Sequence, residues 1–226
     1  MIEPAATRPG QAPPPYSAQD LRTRALRRLN LDPASLEHTA SAVERWGDHV
    51  LNPGAFVAER TGGAPAAVLA PIVARPEGAT VLLTQRATRL RQHSGQIAFP
   101  GGRIDADDAS PVAAALREAQ EEIGLDPRHV EPLGYLDAYI TGTGFRIYPV
   151  VAIVTPPFEL TINHDEVDAA FEVPLQFLME PANHLLHARE IAGASRQFYA
   201  MPWEDRYIWG ATAGMLRNLY FRLYHD

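Results

Sequence analysis

The residues from Leu82 to Leu125, LLTQRATRLRQHSGQIAFPGGRIDADDASPVAAALREAQEEIGL, constrain this chain more tightly than any other part of it. They end in a helix whose start and stop are both written locally. Ser110 suits the N-cap, Pro111 the first helical position and Gly124 a left-handed C-cap. Val112, Leu116, Ala119 and Ile123 recur at helical spacing, so one face has to be buried. Residues four apart share a face, which sets Arg117 beside Glu121, where they can pair, and Glu118 beside Glu122, where they repel. On a bare helix the like-charged pair costs about a few tenths of a kcal/mol. A cation between the carboxylates turns that cost into a binding site, and hard divalent ions such as Mg²⁺ take oxygen ligands while keeping waters and substrate phosphates. A solvated acidic face is the ordinary explanation of two adjacent glutamates. Against it stand the caps, the buried stripe and the upstream Phe99-Pro100-Gly101-Gly102, where two glycines let backbone approach a ligand.

These residues resemble the signature of the Nudix hydrolases, a glycine-led loop joined to a helix reading R-E-(apolar)-x-E-E-x-G-(apolar). The matching positions are Arg117, Glu118, Ala119, Glu121, Glu122, Gly124 and Leu125, with Gly102 opening the loop. Two departures stand out. Ala119 is small for its apolar slot, and the loop is one residue longer than the usual signature, so that the loop acid is Asp108, Asp107 or absent. The resemblance implies a mixed sheet between helices, with the acidic helix beside the loop that enters it.

Composition removes other chemistries. Apolar residues at 46% and charged residues at 21% of 226 suit one globular domain with additions. With 20 Lys and Arg against 27 Asp and Glu, the chain lacks the basic footprint of a general nucleic-acid binder. It has no cysteine, which excludes disulfides, thiol catalysis and thiolate metal sites and agrees with a reducing cytosol. Neither a secretory signal nor an apolar run of membrane-spanning length is visible, so the expected address is cytoplasmic, with no membrane partner.

Taken in order, residues 1–16 hold five of the 20 prolines and read as a flexible tail. Residues 17–62 read as a helical extension packed on the main domain, with one helix capped by Ser17 over 18–29 and another through 41–50 that stops at Leu51-Asn52-Pro53-Gly54. Arg22, Arg24, Arg27 and Arg28 of the first helix read as a solvated basic face rather than an anion site. The main domain, 63–226, opens with strands AAVLAPIVAR and ATVLLTQRA in a hairpin, then a short strand QIAF. After the acidic helix come VEPLGYLDAYI and FRIYPVVAIV around the turn Thr141-Gly142-Thr143-Gly144, a hairpin turn rather than a phosphate loop. Glu166 opens another strand, Pro174 leads into a short helix, and HLLHAREI, RQFYAMPW and YIWG follow as strands. Met215, Leu219 and Leu223 give a closing helix over 211–224 a core-facing stripe. The whole predicts an α+β chain, a mixed α/β/α sandwich with an N-terminal helical extension and a C-terminal helix.

Between Glu77 and Asp105 there is no acidic residue, while Arg86, Arg89, Arg91, Arg103 and His93 are all present. In a chain of net charge −7 this is a local positive field, and the arginine fork matches phosphate oxygens. His93 reads as an exposed loop residue. An acidic, metal-holding helix facing an arginine loop across two glycines asks for a polyphosphorylated ligand. LLTQRATRLRQHSGQIAFPGG also resembles the extra motif of coenzyme A-directed Nudix hydrolases, at Leu82, Leu83, Thr84, Arg86, Ala87, Arg91, Gly95, Phe99, Pro100, Gly101 and Gly102.

That resemblance implies a small-molecule nucleotide substrate, coenzyme A or an acyl derivative, cleaved at its pyrophosphate with Mg²⁺ or Mn²⁺. Arg86, Arg91, Gly95, Phe99, Gly101 and Gly102 then become the substrate-side residues, and a homodimer is compatible with the family. Glu118 and Glu122 are the first-choice ligands and catalytic carboxylates, joined by Glu121 if Arg117 does not hold it, with a carbonyl of Gly101 or Gly102 as a further candidate. The general base is one of the helix carboxylates or a loop acid such as Glu166, which is equally readable as a structural cap. Two other readings stand beside this one: a broader hydrolase of ADP-ribose, dinucleotides or nucleotides, and a ligand-sensing module without turnover. Retention of all three helix carboxylates counts against the last.

Overall fold

The structure, a computed structural model, describes residues 12–32, 46–53, 63–90, 93–191 and 194–225. A mixed sheet forms its centre. Strand β1 (Ala64–Val73) runs parallel to β7 (Phe145–Val154) through ten pairs, from Ala64↔Phe145 to Val73↔Val154. Around this pair lie β2 (Thr80–Arg86), β3 (Ile97–Ala98), β4 (Gly101–Arg103), β5 (Val130–Tyr135), β6 (Tyr139–Ile140) and β8 (Val167–Pro174), all paired antiparallel. A second sheet is a meander of β9 (Leu185–Ile191), β10 (Ala194–Trp203) and β11 (Arg206–Trp209).

Period-two alternation on the central strands divides the core. Ala67, Leu69 and Val73 of β1 and Val150, Ala152 and Val154 of β7 face helix α3 (Pro111–Ile123), against Ala115, Ala119 and Ile123. Val68, Ala70, Ile72, Val151 and Ile153 face the other way, into the core shared by helix α1 (Ala18–Arg28), the short helix α4 (Leu175–Leu178), the C-terminal helix α5 (Ala211–Leu223) and the small sheet. A strand buried on both faces reads as a continuous apolar run, as APAAVLAPIV does. Each fully buried Leu or Ile contributes on the order of 1.5–3 kcal/mol. The predicted mixed sandwich is the architecture found.

Several boundaries differ from the sequence reading. β1 and β2 form the expected hairpin only at Ile72↔Val81 and Val73↔Thr80. Beyond that the strands part, because β4 pairs with Ala66–Val68 and β3 with Thr84–Gln85. The two glycines are therefore strand residues rather than loop. A Cβ on Gly101, whose φ is +155°, would lie 2.4 Å from the Ala67 carbonyl oxygen, so only glycine lets the chain enter here.

The tail reading does not extend to residue 16. Tyr16 stacks on Tyr224 with ring centroids 5.2 Å apart, and its carbonyl accepts from the Ala79 amide. Leu21 and Ala25 of α1 are fully buried in the same core as α5, and Arg24 and Arg28 bond to carbonyls at the end of that helix, so the basic face is structural. The helix expected over 41–50 shows only its end, as the turn α2 (Asp48–Leu51), since 33–45 lie outside the described residues, as do 1–11 of the tail. The Thr141–Gly144 turn closes as a hairpin, with the Thr141 amide donating to the Phe145 carbonyl. Among the described residues no helix is long and apolar enough to cross a membrane.

Candidate active site

The acidic helix forms as its caps dictate. The Ser110 hydroxyl accepts from the Ala113 amide, and Gly124 takes φ +67°. With the apolar stripe buried on the sheet, Glu118 and Glu122 are turned towards β4. The Gly101 amide donates to Glu122 Oε2 at 3.1 Å, and Arg86 Nη1, arriving from the end of β2, stands 3.7 Å from Oε1. Gly102 lies flat against Glu118: a Cβ there would be 2.5 Å from the carboxylate. Both glycines therefore serve the carboxylates directly, one by an N–H and one by leaving room.

Burial decides how these acids titrate. Glu122 is 3% exposed, and loss of hydration pushes its pKa up to about 7 despite the Gly101 N–H and the Arg86 guanidinium, with Glu118 and Glu166 adding repulsion. Glu118 is raised for the same first reason, opposed by Arg117 and supported by Glu121 and Glu166. The two helix acids and Glu166 thus act on one another through space. Among the described residues no three His, Asp or Glu side chains converge into a ready cage. What converges is a repelling carboxylate pair with a third acid in range. That donor set fits a Mg²⁺ or Mn²⁺ ion, which takes one or two protein carboxylates and completes its shell with water and phosphate oxygens.

Glu121 has a different position. Its side chain is 56% exposed and its Oε2 accepts from Arg117 Nη1 at 3.2 Å. The same Nη1 reaches Glu118 more closely, at 2.8 Å, so the two differ in exposure rather than in being held by Arg117. Arg117 is the hub beneath the helix. It donates to both oxygens of Asp108 at 3.1 and 3.0 Å, to Glu118 at 2.8 Å and to the Arg103 carbonyl. Asp108 also accepts from the Asp105 amide, and the Arg117 bonds hold its carboxyl below the usual carboxylate range. Of the two loop aspartates, Asp108 holds Arg117, while Asp107 is exposed.

The arginine run separates into different fates. Arg86 stays at the site, its Nη1 beside Glu122 and its side chain partly open to solvent, while its buried Nε has no hydrogen-bond partner among the described residues. Arg89 is taken by Asp165 and the His164 carbonyl, and Arg103 lies over the Phe145 ring at 5.5 Å. Arg91 lies outside the described residues. His93 is exposed and bonds to Gln96, as a loop residue should. Gly95, at φ +68°, turns the chain into β3 and donates to the Arg86 carbonyl. Phe99 is 3% exposed within the core that includes α5, so its place is packing and not the substrate surface.

Glu166 precedes β8 and is not a helix cap. It accepts from Asn163 Nδ2 at 3.2 Å, while the Asn163 amide donates to the Glu122 carbonyl at 2.9 Å. Asn163 thus ties the loop acid to the end of the acidic helix, a link across some 40 residues that no local spacing reveals. A cavity of about 550 Å³ opens elsewhere, on the small sheet between His187, Phe198, Tyr207 and Trp209. No carboxylate is among its lining residues.

A capped acidic helix on a mixed sheet, with a glycine strand beneath its carboxylates, defines a Nudix domain. The family model described as the NUDIX domain matches residues 63–196, and this chain belongs to the Nudix family. It is 45% identical over 156 residues to a protein described as the uncharacterized Nudix hydrolase NudL of Salmonella paratyphi B, covering 68% of this chain and 80% of that one. The same figures hold for NudL of Salmonella newport. Among solved structures, the Nudix hydrolase RenU of M. Smegmatis is 28% identical, covering 51% of this chain and 73% of that one with a TM-score of 0.44. The NUDIX domain of Shewanella oneidensis NrtR, crystallised with ADP ribose, is 22% identical over 57% of this chain and 82% of that one with a TM-score of 0.41. The chain is therefore an enzyme of the Nudix hydrolase class, a family that generally works with Mg²⁺ or Mn²⁺.

Proposed function

We propose that this enzyme hydrolyses the pyrophosphate bond of coenzyme A or its acyl derivatives, releasing 4′-phosphopantetheine and adenosine 3′,5′-bisphosphate. The observation that carries the reading is Arg86, a residue of the coenzyme A-directed motif. It stands 3.7 Å from Glu122 with its side chain 31% exposed, so its guanidinium can meet a phosphate oxygen beside the carboxylates. Glu118 and Glu122 would hold Mg²⁺ or Mn²⁺, which when bound polarises a phosphoryl oxygen and lowers the pKa of nearby water. Gly101 keeps Glu122 oriented through its amide, and Asp108 keeps Arg117 against Glu118.

Glu166 is the acid we assign to general-base work. Its charge acts on the other two carboxylates through space, and when it takes a proton from the attacking water, the water oxygen adds to phosphorus as the bridging P–O bond breaks. Glu121, exposed and paired with Arg117, has a supporting role. Arg91 is retained as a phosphate ligand on the motif alone. The work is done on a substrate whose phosphates already carry charge, so neutralisation by arginine and metal together is the main effect.

Mass-spectrometric product analysis with Mg²⁺ or Mn²⁺ tests the assignment across coenzyme A, acyl-coenzyme A and ADP-ribose. Phosphopantetheine products from the first two are expected. ADP-ribose cleaved much faster than either would replace this reading with the broader nucleotide hydrolase.

A further inference from the structure

By charge alone Arg89 belongs with the arginines that meet phosphate. Its guanidinium is instead 2.7 Å from the Asp165 carboxylate and donates to the His164 carbonyl. Two more bonds cross between the same segments. The Ala87 amide donates to the Glu166 carbonyl at 2.8 Å, and the Thr88 amide to Asp168 Oδ2 at 2.9 Å. Residues 87–89 follow directly on Arg86, and residues 164–168 carry Glu166 into β8. Between the two, the β2–β8 ladder is regular up to Gln85↔Ala169 and then slips, so that Arg86 comes opposite Val167.

Irregularities of this kind re-aim side chains and end regular pairing, often beside active sites. Here the slip falls at Arg86, with Glu166 next to its partner Val167. Past this point the ladder no longer fixes Glu166, and the crossing bonds from 87–89 take over.

We propose that Arg89 and Asp165 form a latch that holds the 164–168 turn, and with it Glu166, in register with the helix carboxylates. Arg89 is then a positioning residue and not a phosphate ligand. Asp165 is the immediate neighbour of Glu166, so releasing it moves the acid directly, and a misplacement of about 1 Å at a reacting group costs on the order of 100-fold. The catalytic consequence rests on the assignment of Glu166 as the base; the latch itself does not.

The test uses the full chain and the variants Arg89→Ala, Arg89→Lys, Asp165→Asn, the Arg89→Ala/Asp165→Asn pair, and Glu166→Gln. Amide hydrogen exchange at Ala87, Glu166 and Val167 is read alongside steady-state kinetics with Mg²⁺ and whichever diphosphate is turned over. The latch predicts faster exchange at these amides in Arg89→Ala, Asp165→Asn and the double variant, with Arg89→Lys nearer the parent. It predicts a kcat lowered about tenfold in both single variants, KM within about twofold, and a double variant no worse than the poorer single, as for two halves of one contact. A raised KM in Arg89→Ala with Asp165→Asn unaffected would make Arg89 a phosphate ligand after all and overturn the proposal, as would unchanged exchange. If Glu166→Gln abolishes turnover while the latch variants keep full kcat, the proposal also fails. Full activity in Glu166→Gln with accelerated exchange in the latch variants would instead remove Glu166 as base and leave the latch standing.

Discussion

Replacing Glu122 by Gln should make the metal-free protein more stable at pH 8 while destroying its activity. The side chain is 3% exposed and its carboxyl titrates at about 7 against an ordinary 4.5, chiefly because burial strips its hydration. At about 1.4 kcal/mol for each tenfold in proton affinity, ionising it in the folded protein costs roughly 3 kcal/mol more than in the unfolded chain. A pKa raised on folding means that the neutral form favours the native state. That contribution is complete below 4.5 and disappears as pH rises through about 7. Glutamine has the shape of the neutral acid, keeps an oxygen for the Gly101 amide and never ionises. Thermal melts in EDTA should therefore coincide for parent and variant at pH 4.5. At pH 8 the variant should melt about 6–12 °C higher, since roughly 1 kcal/mol moves Tm by about 2–4 °C at this size. Mn²⁺ should stabilise the parent at pH 8 and leave the variant nearly unmoved, and kcat of the variant should fall by about 100-fold or more. A variant that melts below the parent at pH 8, or one that retains turnover, would refute the placement of a metal-seeking charge at this position.

Four further substitutions probe the surroundings. Asp108→Asn removes the two-oxygen grip on Arg117 and should cost about 2 kcal/mol by chemical denaturation and lower kcat, whereas Asp107→Asn should change neither; equal effects would return the loop acid to doubt. The Asp108 contribution, from a depressed pKa, is present above pH 3.8 and lost as pH falls further, so parent and Asp108→Asn stabilities should converge only in acid. Gly102→Ala puts a methyl 2.5 Å from the Glu118 carboxylate and should weaken Mn²⁺ binding by calorimetry about tenfold or more, an unchanged affinity arguing against Glu118 as ligand. Phe99→Leu should lower stability by about 1–2 kcal/mol with KM for coenzyme A unchanged, and a KM raised without loss of stability would restore Phe99 to the substrate surface.

The sequence alone determined those parts of the protein that neighbours along the chain decide. Ser110, Pro111, Gly124 and the stripe from Val112 to Ile123 specify one helix with one buried face, and Glu118 and Glu122 follow onto one side because a helix repeats every 3.6 residues. The strand order of apolar runs and turns was legible for the same reason, and so was the closing helix with its Met215, Leu219 and Leu223.

Tertiary structure decided everything that depends on which distant segment arrives. The parallel pairing of β1 with β7 and the entry of Gly101–Arg103 beside β1 cannot be seen in strands read singly. Phe99 is as apolar in a pocket as in a core, and only the packing of the shared core put it inside. Asp107 and Asp108 are one residue apart in a loop whose length departs from the family pattern, and a two-oxygen bond to Arg117 chose between them. Of the arginines counted as one positive field, Arg89 was claimed by Asp165 and Arg86 was set beside Glu122. A charge pattern gives the supply of guanidinium groups, but the partner of each is fixed by a carboxylate some 35 to 75 residues away, and that distance is closed only when the sheet forms.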